Sequence, residues 1–97
     1  MRLNVYGIIK GKSKNTIINV FELGKKFVRF TCFSKDKEYI EQRLHETLTV
    51  SIETSEGIIT GYIEPIKCKS NLQYKSFLRL KNREEEEKLI RYLAKVV

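Results

Sequence analysis

A chain of 97 residues can bury only one modest core, and its 41% apolar share suits a globular protein and exceeds what a disordered chain carries. No apolar run approaches the roughly 20 residues that cross a bilayer, and Met1 to Tyr6 lacks the apolar stretch of a secretory leader. The expectation is a single cytoplasmic domain without membrane insertion. The net charge of +7 is lopsided: residues 1–37 hold nine Lys and Arg against Glu22 and Asp36, while the remainder balances. A basic half points toward an anionic partner, whether a nucleotide, a nucleic acid, an acidic protein face or a lipid surface.

In chain order, Leu3 to Lys10 alternates loosely in β-branched and aromatic types and reads as a strand. Gly11 to Asn15 is a polar turn, and Thr16 to Phe21 is a second strand. Glu22 to Lys26 interrupts, with Gly24 available for a positive φ. Phe27 to Phe33 forms a third strand, setting Val28, Phe30 and Cys32 on one face and Phe27, Arg29, Thr31 and Phe33 on the other. Phe21, Phe27 and Phe30 read most simply as core residues.

Between Ser34 and Thr47 the pattern shifts toward a short helix, with Ser34 as its cap and Tyr39, Ile40 and Leu44 facing inward. Leu48 to Glu53 alternates as a half-buried strand, Ser55-Glu56-Gly57 turns, and Ile58 to Ile66 returns as its hairpin partner. Pro65 has no backbone N–H, so it should end that strand or lie on an edge. After a turn at Ser70-Asn71, Tyr74 to Leu80 is the last strand. A helix then follows over 83–96, with Asn82 and Glu85 arranged like a capping box and Glu84 to Glu87 at the positive end of its dipole. Leu89, Ile90, Leu93 and Val97 are its expected apolar stripe. The pattern predicts a mainly β fold: a small antiparallel barrel of six or seven strands over about 3–80, with a C-terminal α-helix.

Cys32 and Cys68 are too few for a disulfide framework. One histidine and no CxxC spacing leave a zinc site without ligands. His45 has no nucleophile or carboxylate at a recognisable spacing, so neither an enzyme nor a cofactor is expected.

This order of elements resembles the PilZ domain, a bacterial signalling module. The resemblance runs from about Val5 to Leu93 and is carried by Tyr74-Lys75-Ser76-Phe77-Leu78-Arg79-Leu80, the acidic-start helix that follows, and the hairpin from Thr47 to Ile66. Members bind cyclic di-GMP through an Arg-x-x-x-Arg near the N-terminus and an Asp/Asn-x-Ser-x-x-Gly between the second and third strands. Here Asn19-Val20-Phe21-Glu22-Leu23-Gly24 keeps the first and last positions of the second motif, with Phe21 in place of Ser. The arginine pair is missing, since Arg2 is followed four positions on by Tyr6.

The resemblance implies a non-catalytic signalling or adaptor module acting through a protein partner and binding cyclic di-GMP weakly or not at all. A ligand would lie against Asn19 and Gly24, with Arg2, Lys10, Lys12, Lys14, Lys25 and Arg29 available to its phosphates. Lysines would restore charge there without the planar fork of arginine. The alternative is a small basic β-barrel that binds RNA or single-stranded nucleic acid, with aromatic side chains interleaved among Lys25, Lys26 and Arg29.

Overall fold

The computed structural model describes the backbone of residues 2–96 and the side chains of residues 3–96. Seven strands form in chain order: β1 (Arg2–Lys10), β2 (Asn15–Leu23), β3 (Phe27–Cys32), β4 (Leu48–Thr54), β5 (Gly57–Ile63), β6 (Ile66–Lys67) and β7 (Gln73–Leu80). One turn of helix, α1 (Lys37–Glu41), lies between β3 and β4, and α2 (Arg83–Val96) closes the chain. The sheet runs β3-β2-β1-β4-β5-β7-β6, and β3 also pairs with β7. Six antiparallel strands therefore close into a barrel, and the short β6 adds to one side of β7. The mainly β barrel with a C-terminal helix is as the sequence predicts.

Alternation along each strand fills the barrel. Ile9, Ile18, Val20, Val28, Phe30, Val50, Ile52, Ile59, Ile63 and Tyr74 all point inward and are buried. Phe30 and Tyr74 stack with ring centroids 5.6 Å apart. Burial of about ten such side chains is the main stabilising term for a domain of this size.

Several boundaries differ from the sequence reading, for local reasons. β2 runs on through Glu22 to Leu23 because a bulge between Val20 and Glu22 absorbs Phe21 without ending the pairing with β3. The hairpin strand stops at Ile63, and Pro65 separates it from β6, as expected of a residue without a backbone donor. Ser34 opens a 3-10 turn (Ser34–Asp36) without acting as a side-chain cap, and α1 ends after five residues. Of its expected inward residues, Ile40 is fully buried in the core, while Tyr39 and Leu44 are half-buried against it.

Helix α2 begins where expected. Asn82 Oδ1 accepts from the Glu85 N–H at 3.1 Å. The Glu85 carboxylate, however, does not complete a capping box. Its Oε1 accepts instead from the Thr60 N–H at 3.3 Å, while Lys88 Nζ donates to the Ile58 carbonyl at 3.1 Å. β7 pairs with β5 only from Gly61 to Ile63, so the first half of β5 has backbone groups open on that side. Glu85 and Lys88 satisfy two of them, which blunts an exposed strand edge.

The inward line of α2 is Glu85, Leu89 and Tyr92. Ile90, expected in the stripe, is 51% exposed, because the line through Glu85 and Leu89 turns it outward. Val97 lies outside the described residues. At the far end of α2, Glu56 in the β4–β5 turn takes Arg91 Nε at 3.2 Å and the Lys95 ammonium. Gly57 gives that turn its positive φ of 106°.

The Lys95 ammonium, and after it Arg91, holds the Glu56 carboxyl below the usual carboxylate range. A carboxylate with a depressed folded pKa contributes stability above its unfolded pKa and loses it as pH falls through the folded value. Melting temperature should therefore drop as pH falls below about 4. Glu56→Gln should melt lower than the parent at neutral pH and show a shallower acid decline. A variant that tracks the parent at every pH would contradict this clamp.

Candidate nucleotide motif and an aromatic-basic face

The residues singled out in the sequence do not form one site. Lys10 ends β1 opposite Asn15, and Lys12 and Lys14 lie in the adjoining turn. Gly24 and Lys25 lie past the other end of β2, eight or more residues along an extended strand, or about 26 Å away. Lys14 is committed elsewhere: its Nζ sits 3.0 Å from the buried Asp36 carboxylate and 4.7 Å from the centre of the Tyr39 ring. Arg29 faces Glu22 across the β2–β3 pair at 3.5 Å. The backbone of Arg2 belongs to β1, but its side chain lies outside the described residues.

Asn19 and Gly24, the two positions that match the expected motif, are occupied by the protein itself. Asn19 is half-buried on β2, between Tyr6 of β1 and Thr31 of β3, and its amide donates to Asn4 Oδ1 at 2.5 Å. Gly24 does not have the positive φ expected of it; among the described residues Gly57 is the glycine with one. Gly24 is small for another reason. The Phe27 ring lies over it so closely that a Cβ there would stand 2.2 Å from the ring. Phe27 thus covers the place beside Gly24 and is 41% exposed, not a core residue. Phe21 is half-buried in the bulge, and only Phe30 of the three is fully enclosed.

Strand pairing assembles a different surface. β3 and β7 align Phe27 with Phe77 and Arg29 with Lys75 on the outer side of the barrel. β5 aligns Tyr62 with Arg79, whose guanidinium sits 5.2 Å from the Tyr62 ring centre. Phe77 is 87% exposed, an extreme value for a phenylalanine in mid-strand. A groove of about 430 Å³ on one side of it is bordered by Tyr62, Ile66 and Lys75. A second, of about 440 Å³, runs between β7 and α2, bordered by Lys25, Lys26 and Ile90.

Charge on this face is mainly positive. Among the described residues, none of Lys25, Lys26, Lys75 and Arg79 makes an ion pair. Of the nearby carboxylates, Glu22 pairs with Arg29 and Glu64 accepts from the Thr47 hydroxyl at 3.0 Å, while Glu86 of α2 borders the second groove, leaving the four cations in excess. Sequence reasoning had picked Lys25 and Arg29 but missed Lys75, Phe77 and Arg79. Their signal was present in the alternation of β7, where Tyr74, Ser76 and Leu78 are inward, leaving Phe77 between two cations on the outer side.

Burial also acts on titratable groups in and around the barrel. Burial pushes the Cys32 thiol up, and the charges of Asp36 and Glu41 add to that. The Tyr74 hydroxyl, also raised, mainly by burial, donates to Glu41 Oε2 at 2.9 Å. Cys32 and Cys68 are both free thiols, the first buried and the second half-buried. A thiol with a raised pKa is a poor nucleophile near neutral pH.

Comparisons with protein-family models, with curated proteins and with solved structures find no match to this chain.

The exposure of Phe77 yields a direct test by urea unfolding. Phe77→Ala should change stability by no more than about 0.5 kcal/mol, whereas Phe30→Ala should lose about 3–5 kcal/mol. A comparable loss from both would mean that the Phe77 ring is buried.

Proposed function

We propose that this chain is a PilZ-like, non-catalytic interaction module whose cyclic di-GMP site is closed, and that it works through the outer face of β3, β5 and β7. The observation that carries this reading is the pair of neighbouring conditions on β2 and β3. The Phe27 ring occupies the surface of Gly24, and Asn4 occupies the amide of Asn19, so the two surviving motif residues are engaged with their own chain. The closed six-stranded barrel followed by an acidic-start helix supports the PilZ resemblance at the level of architecture.

Three further features support an interaction role. Phe77, Phe27 and Ile66 expose apolar surface together beside one groove, and a contiguous apolar patch of this kind marks a contact surface. Aromatic and arginine side chains are the residues that concentrate binding energy at interfaces. Phe77, Phe27, Tyr62 and Arg79 form such a group on three adjacent strands.

Calorimetric titration tests the closed site. Cyclic di-GMP should give no saturable heat up to about 1 mM, equivalent to a binding free energy weaker than about 4 kcal/mol. Saturable micromolar binding that disappears in Asn19→Ala would overturn the reading, because it would require the motif to open and hold the nucleotide.

A further inference from the structure

We infer that the outer face of β3, β5 and β7 binds single-stranded nucleic acid, with bases stacked on Phe77 and Phe27 and phosphates held by Lys25, Lys26, Lys75 and Arg79. The inference rests on the reading of this face as the working surface and names the class of its partner.

The argument begins with the alternation on β7. Lys75, Phe77 and Arg79 follow one another on the same side of the strand, about 6.6 Å apart. A cation, a flat ring and a second cation thus succeed one another along a straight line. A single strand of nucleic acid presents the complementary series, with an anionic phosphate and a planar base in every unit. Bases stack on exposed aromatic rings with little regard to sequence, and cations beside the rings track the backbone.

Neighbouring strands widen the platform. Phe27 stands directly across from Phe77, within the reach of a cross-strand pair. Tyr62 continues the aromatic surface onto β5, with Arg79 beside its ring. Lys25 and Lys26 approach Phe77 from the β2–β3 turn, where the Lys26 carbonyl accepts from the Leu78 N–H at 2.8 Å. That hydrogen bond fixes the turn against β7 and brings its two lysines to the border of the platform.

Charge distinguishes this occupant from an apolar protein surface. Burying Lys25, Lys26, Lys75 and Arg79 against an uncharged partner would strip four cations of water without replacing their partners. A folded acidic protein could neutralise them, but it would have to bring a separate apolar complement for Phe77. One nucleic-acid strand supplies both chemistries in every nucleotide.

Fluorescence anisotropy with a labelled oligouridine at near-physiological salt tests the inference, with labelled polyglutamate as a matched anionic polypeptide. The oligouridine should bind saturably, and log K should fall with log salt with a slope of about −3 for four phosphate contacts. Phe77→Ala should weaken binding about ten-fold or more, and Lys75→Glu with Arg79→Glu should weaken it further. Lys35→Glu, at the other end of β3, should leave it within about two-fold. Circular dichroism melts of each variant separate lost contacts from lost fold. Absence of oligouridine binding, or binding indifferent to Phe77→Ala in a folded variant, overturns the inference. Preference for polyglutamate also overturns it, while leaving intact the reading of the face as an interaction surface. Only micromolar cyclic di-GMP binding at Asn19 overturns that broader reading.

Discussion

The pairing of β3 with β7 is the contact on which both the core and the outer face depend. It closes the barrel, and its register sorts the side chains of both strands. Val28 opposite Ser76 and Phe30 opposite Tyr74 face inward, whereas Phe27 opposite Phe77 and Arg29 opposite Lys75 face outward. A slip of one residue in either strand would turn Lys75 and Arg79, or Arg29, into the core and expel Tyr74 or Phe30. The cost of burying an unpaired cation makes that register untenable. The apolar interior and the aromatic-basic exterior are therefore two consequences of one alignment.

Closure leaves loose ends, which the helical segments cover. β7 stops pairing with β5 at Gly61, and α2 takes over the remaining edge of β5 through Glu85 and Lys88. Leu89 and Tyr92 add apolar burial, and the Glu56 turn holds the far end of α2 through Arg91 and Lys95. The segment between β3 and β4 contributes the fully buried Ile40, and the Lys14–Asp36 pair ties it to the β1–β2 hairpin. Two lysines of the basic half thus have structural duties. Lys14 anchors this segment, and Lys26 lends its carbonyl to the β3–β7 seam.

The strands, the break at Pro65 and the start of α2 were legible in the sequence because each rests on a local rule: two-residue alternation, a missing N–H, a capping asparagine. What was not legible depends on pairing across the chain. Local composition made Phe27 a core residue, but its partner Phe77 places it on the outer side, where its ring covers Gly24. Glu85 fitted a capping box, yet the open edge of β5 offered it a tertiary donor in Thr60. The grouping of Lys10, Lys12 and Lys14 with Gly24 and Lys25 came from their closeness in a basic segment. An extended hairpin separates them by its full length. For Phe77 the local rule was sufficient, since Tyr74 and Leu78 as core residues leave it outward between Lys75 and Arg79.

The Asn19–Gly24 stretch and an exposed aromatic face are linked through Phe27, which lies over Gly24 on one side and beside Phe77 on the other. The ring that covers Gly24 also extends the platform on β7. The central claim, that this platform holds a single nucleic-acid strand, is tested most directly by amide chemical-shift mapping of the isotopically labelled chain during titration with oligouridine. Shifts concentrated in residues 25–31, 60–63 and 73–80 are the predicted result. Shifts concentrated at Lys10, Lys12 and Lys14, or none at saturating oligonucleotide, would contradict it.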